Sequence, residues 1–429
     1  MKIKTLDSSS IGFINNLSDY LSFRVKNSTH IDKSVDEILN SIRKYGDRAL
    51  IKYTKKYDQA SYKKINDSLV SKKEIDEAYS LVPKKTLANI KKAITNIKKF
   101  SQKQSIKTWS MTVKGSMIGE KVSAIKTAGI YVPGGKASYP STVLMNAIPA
   151  KIAGVKNIIM VSPPTNKKIN PLVLVAADLC KVDKIYKFGG AHAVAALAYG
   201  TKTITPVDKI VGPGNIYVAT AKKKVFGTVG IDSFAGPSEI LIIANKDADP
   251  ECIAIDMFAQ AEHDELAQSI LLTTSKKLIA DVNKKIDSLI SAQKRKKIIQ
   301  KSLESRGLFL KAKSMSEVIK IANRIAPEHL EIIGKSASTI AKGITNAGAI
   351  FIGENSPEVF GDYCAGPNHV LPTNGTAKYA SPLGVYDFLK RTSIMKISKK
   401  HAEELSSIAS SLADCEGLHA HSLSAKFRK

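Results

Sequence analysis

The sequence predicts an α/β protein built on two parallel sheets, one inserted in the other, with small helical terminal segments. Three observations carry that expectation. Short apolar runs alternate with helical-period stretches from about residue 122 to residue 353. Glycine turns punctuate the junctions, at VPGGK (132–136), FGGAH (188–192), VGPGN (211–215) and AGPSE (235–239). The chain is 429 residues long with 43% hydrophobic and 24% charged residues, which suits a globular protein of two to four domains with a large core.

Taken in order, residues 1–110 read as helices, since SVDEILNSIRKYGDRALIKYTKKYD and the stretch 73–100 set apolar and charged residues at helical period. VSAIKTAGIYVPGG then reads as a strand running into a turn and STVLMNAIPAKIAGV as a helix. NIIMVSPP, KIYKFGG, DKIVGPGN and EILIIAN (239–245) are further strands, separated by the helices NPLVLVAADLCKV, AHAVAALAYG and IYVATAKKKVFG. Asp249-Pro250 is a cap and first turn for a helix over 250–268. SILLTT, a Lys-rich helix, GLFLKA, a helix around 315–325 and AGAIFIG (347–353) continue the alternation. Strand and helix in alternation imply βαβ units with right-handed crossovers, and the unit 131–238 sits within the other. The end, 384–429, returns to helix and polar residues.

In open α/β sheets ligands bind outside the carboxyl ends of strands, and the glycine turns are expected there. Glycine lets backbone N–H groups approach a phosphate, and helix N-termini add partial positive charge. The plainer reading is that these glycines only end strands. No GxGxxG fingerprint occurs, so a dinucleotide site must take another form.

A net charge of +27 raises a nucleic-acid partner. The excess is nearly all Lys and is spread out, as in KKAITNIKKFSQKQSIK (91–107), with few aromatic residues between to stack on bases. Solvated helix faces account for it, so the expectation is no nucleic-acid partner. No apolar run spans a bilayer, and MKIKTLDSSS lacks the apolar stretch of a secretory signal. The scattered Cys180, Cys252, Cys364 and Cys415 form no CxxC pair, as expected for reduced thiols in a cytoplasm.

Four polar clusters carry chemistry. FAQAEHDE (258–265) places Gln260 and His263 three apart, on one face of a helix. APEHLEI (326–332) sets Glu328 beside His329 after a proline. GDYCAGPNHVLPT (361–373) carries Asp362 and His369, and EGLHAH (416–421) carries Glu416, His419 and His421. Singly these are a polar helix end, a helix start, a surface loop and a polar tail. Together they offer Gln, His, Asp and His donors of a kind that suits zinc or another borderline divalent ion.

In series, AGIYVPGG, GGAHAVAALAYGT, VGPGNIYV, AGPSE, AQAEHD, APEHLE, GDYCAGPNHVLPT, SPLGVYDF and EGLHAH resemble the histidinol dehydrogenase family, and the resemblance runs through most of the chain. It implies NAD-dependent oxidation of L-histidinol to L-histidine through L-histidinaldehyde, the last step of histidine biosynthesis. It also implies one zinc (Zn2+) per subunit, two Rossmann-like domains, and a homodimer whose active site is shared between subunits. On that resemblance Gln260, His263, Asp362 and His421 are the zinc ligands, with Glu262 and Asp264 orienting them. His329 is the base for the alcohol proton and Glu328 the base for water. Substrate is bound by Ser238, Gln260, His263, His329, Asp362, His369, Glu416 and His421. Tyr131, His192 and Asn215 contact NAD, although the family commonly has glutamine where His192 stands. The implied division is a helical segment 1–22, a first α/β domain of 23–130 plus 239–383 with metal and catalytic residues, an NAD-binding domain 131–238, and a segment 384–429 reaching the partner subunit. The competing readings are a zinc hydrolase on the same scaffold and a basic nucleic-acid-binding protein.

Overall fold

A computed structural model describes residues 1–22, 29–134, 139–233 and 236–428. The end of the VPGGK turn, the start of AGPSE and the expected boundary at residue 23 lie outside the described residues. Within them the chain builds two parallel sheets, each wound in both directions from a central strand. The five-stranded sheet runs Lys184–Tyr186, Asn157–Val161, Thr127–Tyr131, Lys209–Val211, Gly230–Ile231. The six-stranded sheet runs Lys4–Asp7, Leu308–Lys311, Gln268–Thr273, Glu239–Ala244, His329–Ile333, Ala349–Ile352. Strands such as EILIIA and QSILLT are buried at every position, which is why they read as unbroken apolar runs: helices cover both faces of a parallel sheet. Each sheet carries two buried clusters, such as Ile130, Met145 and Ile158 in one and Leu241, Ile270 and Leu330 in another.

Several expected elements differ. Residues 1–22 are not only helical: Lys4–Asp7 pairs in parallel with Leu308–Lys311 as an edge strand before helix Phe13–Leu21. A four-residue edge strand is too short for its period to show. The helix expected over 250–268 ends at Ala261, and Gln268 already belongs to the next strand. The terminal segment contains a strand, Leu389–Lys396, which joins Ser116–Ala124 and Trp109–Val113 in an antiparallel sheet. Its exposed, Lys-rich alternation disguised it as polar tail. Helices Thr29–Tyr57, Lys72–Leu81 and Lys84–Gln102 share their cores with the five-stranded sheet, and Val370 and Leu383 of the 239–383 segment join one of those clusters. Val35, Ile38 and Leu50 meet Tyr131, Val194 and Leu197 there. No described helix is long and apolar enough to cross a membrane, and Cys180, Cys252, Cys364 and Cys415 are free thiols.

Candidate active site

Two strands set the chemistry of the six-stranded sheet. Glu239–Ala244 and His329–Ile333 lie side by side in register, with His329 opposite Ile240, so Ser238, Glu239, Glu328 and His329 gather at the amino ends of the strands. The Glu328 carboxylate accepts the Glu239 N–H at 2.8 Å, and the His329 ring meets the Glu239 carbonyl through Nδ1 at 3.0 Å. A carbonyl only accepts, so Nδ1 carries the hydrogen of the neutral ring and Nε2 is left with its lone pair. That Nε2 lies 3.5 Å from Asp362 Oδ1, while Nδ1 is 3.7 Å from Glu328. Glu328 and His329 are both buried.

Helix Pro250–Ala261 returns across this sheet and delivers Gln260 and His263 to the same end. Asp249 caps its start by accepting the Glu251 N–H at 2.8 Å. The short helix Glu358–Tyr363 brings Glu358 and Asp362, four residues apart and hence on one face. His263, Glu358 and Asp362 each offer a donor atom, all within 4.8 Å of one another. Gln260 is fully buried and its amide nitrogen, turned toward the carboxylate, donates to both Glu358 oxygens at 3.1 and 3.2 Å. His369 leans on the Asp362 carbonyl through Nδ1 at 2.9 Å, which leaves its Nε2 without a hydrogen as well.

Burial and crowding of like charge tune these groups. Burial pushes Glu328 up to about 8, opposed by His329 beside it. Burial likewise lifts Glu358 to about 7. Behind it Glu331, which accepts the Glu358 N–H at 2.6 Å, is raised to about 9 by burial and by Asp256. Burial opposes ionisation of Asp362, but the His329, His369 and His263 rings hold its carboxyl below the ordinary range. Burial disfavours a charged His329, yet Glu358, Glu328 and Asp362 overcome it and raise that ring well above the usual histidine value. His263 is exposed at the mouth of a cleft, and desolvation by the protein atoms around its ring lowers its pKa. The cleft, of about 490 Å³, is bordered by His263, Leu266, Arg295 and Lys301.

At the five-stranded sheet the other expected residues meet at the carboxyl ends. The Tyr131 hydroxyl accepts the Gly190 N–H at 2.9 Å. Asn215 caps helix Ile216–Val225, accepting from Tyr217 and Val218 N–H at 3.1 and 3.2 Å. His192 is fully buried beside Tyr53 and Tyr57, and its Nε2 lies 2.9 Å from Asp58 Oδ2. The same Asp58 oxygen accepts the Gly189 N–H at 3.0 Å.

A single chain therefore unites Gln260, His263, Glu328, His329, Asp362 and His369, but not all of the expected set. His421 is absent from the donor group, and both it and Glu416 are exposed on the terminal helices Lys399–Cys415 and His419–Lys426. Those helices are pinned to the antiparallel sheet, with Ser398 N–H donating to Ser116 Oγ at 2.9 Å and His401 Nδ1 2.9 Å from the same oxygen. Ser238 sits at the amino end of its strand, where its carbonyl accepts the Gln268 N–H at 2.9 Å. Asp264 turns its carboxylate on Leu266 N–H, 2.9 Å away, which serves its own loop. Glu358 and Glu239 were missed from the sequence. The spacing of Glu358 and Asp362 after Pro357 was the available signal for the first; nothing local pointed to Glu239.

The comparisons with known proteins agree with one another. A family profile described as histidinol dehydrogenase matches residues 22–429. The histidinol dehydrogenase of Nitrosomonas europaea is 48% identical over 429 residues, covering 100% of this chain and 99% of its own. That of Cupriavidus pinatubonensis is 47% identical, covering 100% of this chain and 97% of its own. A crystal structure of the histidinol dehydrogenase from Elizabethkingia anophelis superposes with a TM-score of 0.92 at 35% identity, covering 99% of this chain and 98% of that one. With a profile match across nearly its whole length, the chain belongs to the histidinol dehydrogenase family of oxidoreductases.

Proposed function

We propose that the chain oxidises L-histidinol to L-histidine in two NAD-dependent steps through L-histidinaldehyde, with one zinc ion held by Gln260, His263, Asp362 and His421, the last supplied by a second copy of the chain. The observation that supports this reading is the meeting of a nitrogen and oxygen donor cluster with a buried Glu328–His329 pair at one end of one sheet. The donor set fits the ion. The donor atoms of His263 and Asp362, with Glu358, lie within 4.8 Å of one another, Gln260 is hydrogen-bonded to that Glu358, and His263 and Asp362 are common zinc ligands. Gln260 and His263 also lie at the C-terminal end of a helix, where the backbone carries partial negative charge. Bound there, zinc supplies a fixed Lewis acid that orients the imidazole and amino nitrogens of the substrate. NAD, the hydride acceptor, is assigned to the carboxyl ends of the five-stranded sheet beside Tyr131, His192 and Asn215.

The side chains then divide the proton chemistry. In its neutral form, held in the right tautomer by the Glu239 carbonyl, His329 takes the alcohol proton on Nε2; the carboxylates that raise its pKa make that form scarcer at neutral pH but more basic, and Asp362 steadies the cation that forms. As the proton leaves the hydroxyl oxygen, hydride leaves the carbon that bears it for the nicotinamide, and an aldehyde remains. Glu328 in its ionised form, made a stronger base by a pKa pushed to about 8, draws a proton from the water that adds to this aldehyde. His329, having released its first proton to solvent, then accepts the hydroxyl proton of the hydrate as the second hydride departs. His369 and Ser238 line the substrate side.

The exposed Glu416 and His421 point to the assembly. We read the molecule as a cytoplasmic homodimer in which a second copy brings these two residues to the cleft. Trp109, Met111, Met395, Leu412 and Phe427 are exposed on the same terminal unit and would be covered by that contact. Arg295 at the cleft matches the charge of an incoming Glu416.

Supplied with histidinol and excess NAD, the purified protein is expected to form two NADH per histidinol consumed, to lose activity on chelation and to regain it with zinc. Turnover without NAD, or one NADH per substrate with free aldehyde accumulating, would sink the reading.

A further inference from the structure

The loop that leaves strand Lys209–Val211 is gripped on both sides of one residue. Gly212 N–H donates to Asp232 Oδ2 at 2.7 Å, and the Gly212 carbonyl accepts from Lys222 Nζ at 2.9 Å. Lys222 and Asp232 also pair with each other, their side chains only 3% and 4% exposed. Asp232 accepts the Ser233 N–H at 2.7 Å in addition. Gly212 takes φ 110°, and a Cβ built there would stand 2.2 Å from the Tyr131 carbonyl oxygen. The loop therefore lies hard against the end of the neighbouring strand.

This pair is out of place by the ordinary habits of its residues. Lys222 is in the last turn of helix Ile216–Val225, where the adjacent Lys223 is exposed. A buried ion pair contributes little net stability, because desolvation offsets its attraction, and its best-attested use is to fix a geometry. The geometry fixed here is the path from Gly212 to Asn215, whose far end is already held by the Asn215 cap. That path borders the gap between strands Thr127–Tyr131 and Lys209–Val211, the point where the strand order reverses and where α/β sheets bind ligands.

We propose that Lys222 and Asp232 are positioning residues for the dinucleotide, acting on it only through the Gly212 peptide. The proposal rests on the assignment of NAD to this end of the sheet. It separates cofactor binding from the metal-side chemistry, because neither residue belongs to the six-stranded sheet or its loops.

The test uses calorimetry of the metal-loaded protein with NAD and, separately, with histidinol. Lys222→Met is expected to weaken NAD binding about tenfold or more, and to raise the KM for NAD in proportion, with kcat at saturating NAD changed less than about twofold. Because a lone buried Asp232 endangers folding, the second variant is Lys222→Met with Asp232→Leu, which leaves no unpaired charge. It is expected to melt near the parent temperature, to bind histidinol as the parent does, and still to bind NAD weakly. Parent-like NAD affinity in the double variant overturns the proposal. So does an equal loss of both ligands, or a double variant that does not fold, since either makes the pair merely structural. If the unaltered protein takes up no NAD, the cofactor assignment itself fails, a result recognisable before any variant is made.

Discussion

The two parallel sheets are wound alike and used oppositely. In each, the chain adds strands outward on one side of a central strand and then returns to its other flank: Lys209–Val211 returns beside Thr127–Tyr131, and His329–Ile333 beside Glu239–Ala244. At the five-stranded sheet Tyr131, His192 and Asn215, the residues proposed to meet the cofactor, stand at the carboxyl ends, where helices begin. At the six-stranded sheet Glu328, His329, Gln260 and His263 stand at the amino ends, where helices finish. Helix beginnings present N–H groups and partial positive charge, and helix ends present carbonyl groups and partial negative charge. One architecture thus offers an end suited to an anionic dinucleotide and an end suited to a cation. The loop Gly361–Thr373 ties them together, with Asn368 Nδ2 donating to the Met145 carbonyl at 2.6 Å and Cys364 accepting from Asn96 at 2.9 Å.

If the ends are independent, substitutions at one should leave the other's ligand untouched. The largest expected effect is from His329→Asn, with the first hydride transfer slowed about a thousandfold and NAD affinity preserved. Glu328→Gln should spare that step and slow aldehyde oxidation instead. Stopped-flow records of both steps decide it, and equal slowing of both by either variant would refute separate bases. Next comes Glu358→Gln, which removes a buried carboxylate beside Gln260, His263 and Asp362. Zinc affinity, measured by competition with a chromogenic chelator, should fall about ten- to a hundredfold while NAD binding holds. Unchanged zinc affinity would remove Glu358 from the metal's surroundings.

The smallest effect is on stability against pH. Glu328, Glu331 and Glu358 are raised in the fold from 4.5 to about 8, 9 and 7. A folded state that holds protons the unfolded state has released loses stability as pH rises, until the folded values are passed. The metal-free protein should therefore melt lower at pH 9 than at pH 6, and zinc should reduce the difference. A metal-free melting temperature that climbs over this range would mean the carboxylates are not held as described.

The comparison also explains what could be read in advance. Buried parallel strands such as EILIIA and SILLTT announce themselves, because both faces are apolar and glycine bounds them. Lys4–Asp7 and Leu389–Lys396 did not, being short or solvent-facing and defined by their partners rather than their own pattern. Side chains set by a local motif, such as Gln260 with His263 or Glu328 with His329, were legible. Glu239 was not, since its place opposite Glu328 arises only when strands 90 residues apart align; its backbone N–H and carbonyl, which any residue supplies, do the holding. The packing of helix Thr29–Tyr57 was hidden for a related reason. Its apolar stripe shows that it covers a sheet but not which one.

Asp58 comes from just beyond that helix, and its position bears on how the proposed dinucleotide would lie. Its carboxylate already occupies the start of helix Gly190–Tyr199, engaged by Gly189 N–H and His192. A diphosphate brought to the same spot would meet a fixed anion and be turned away. A sugar hydroxyl would be welcomed there as a donor. Were NAD bound at this end as proposed, Asp58 would set its polarity, with a ribose toward the Gly189 turn and the charged bridge toward Gly212.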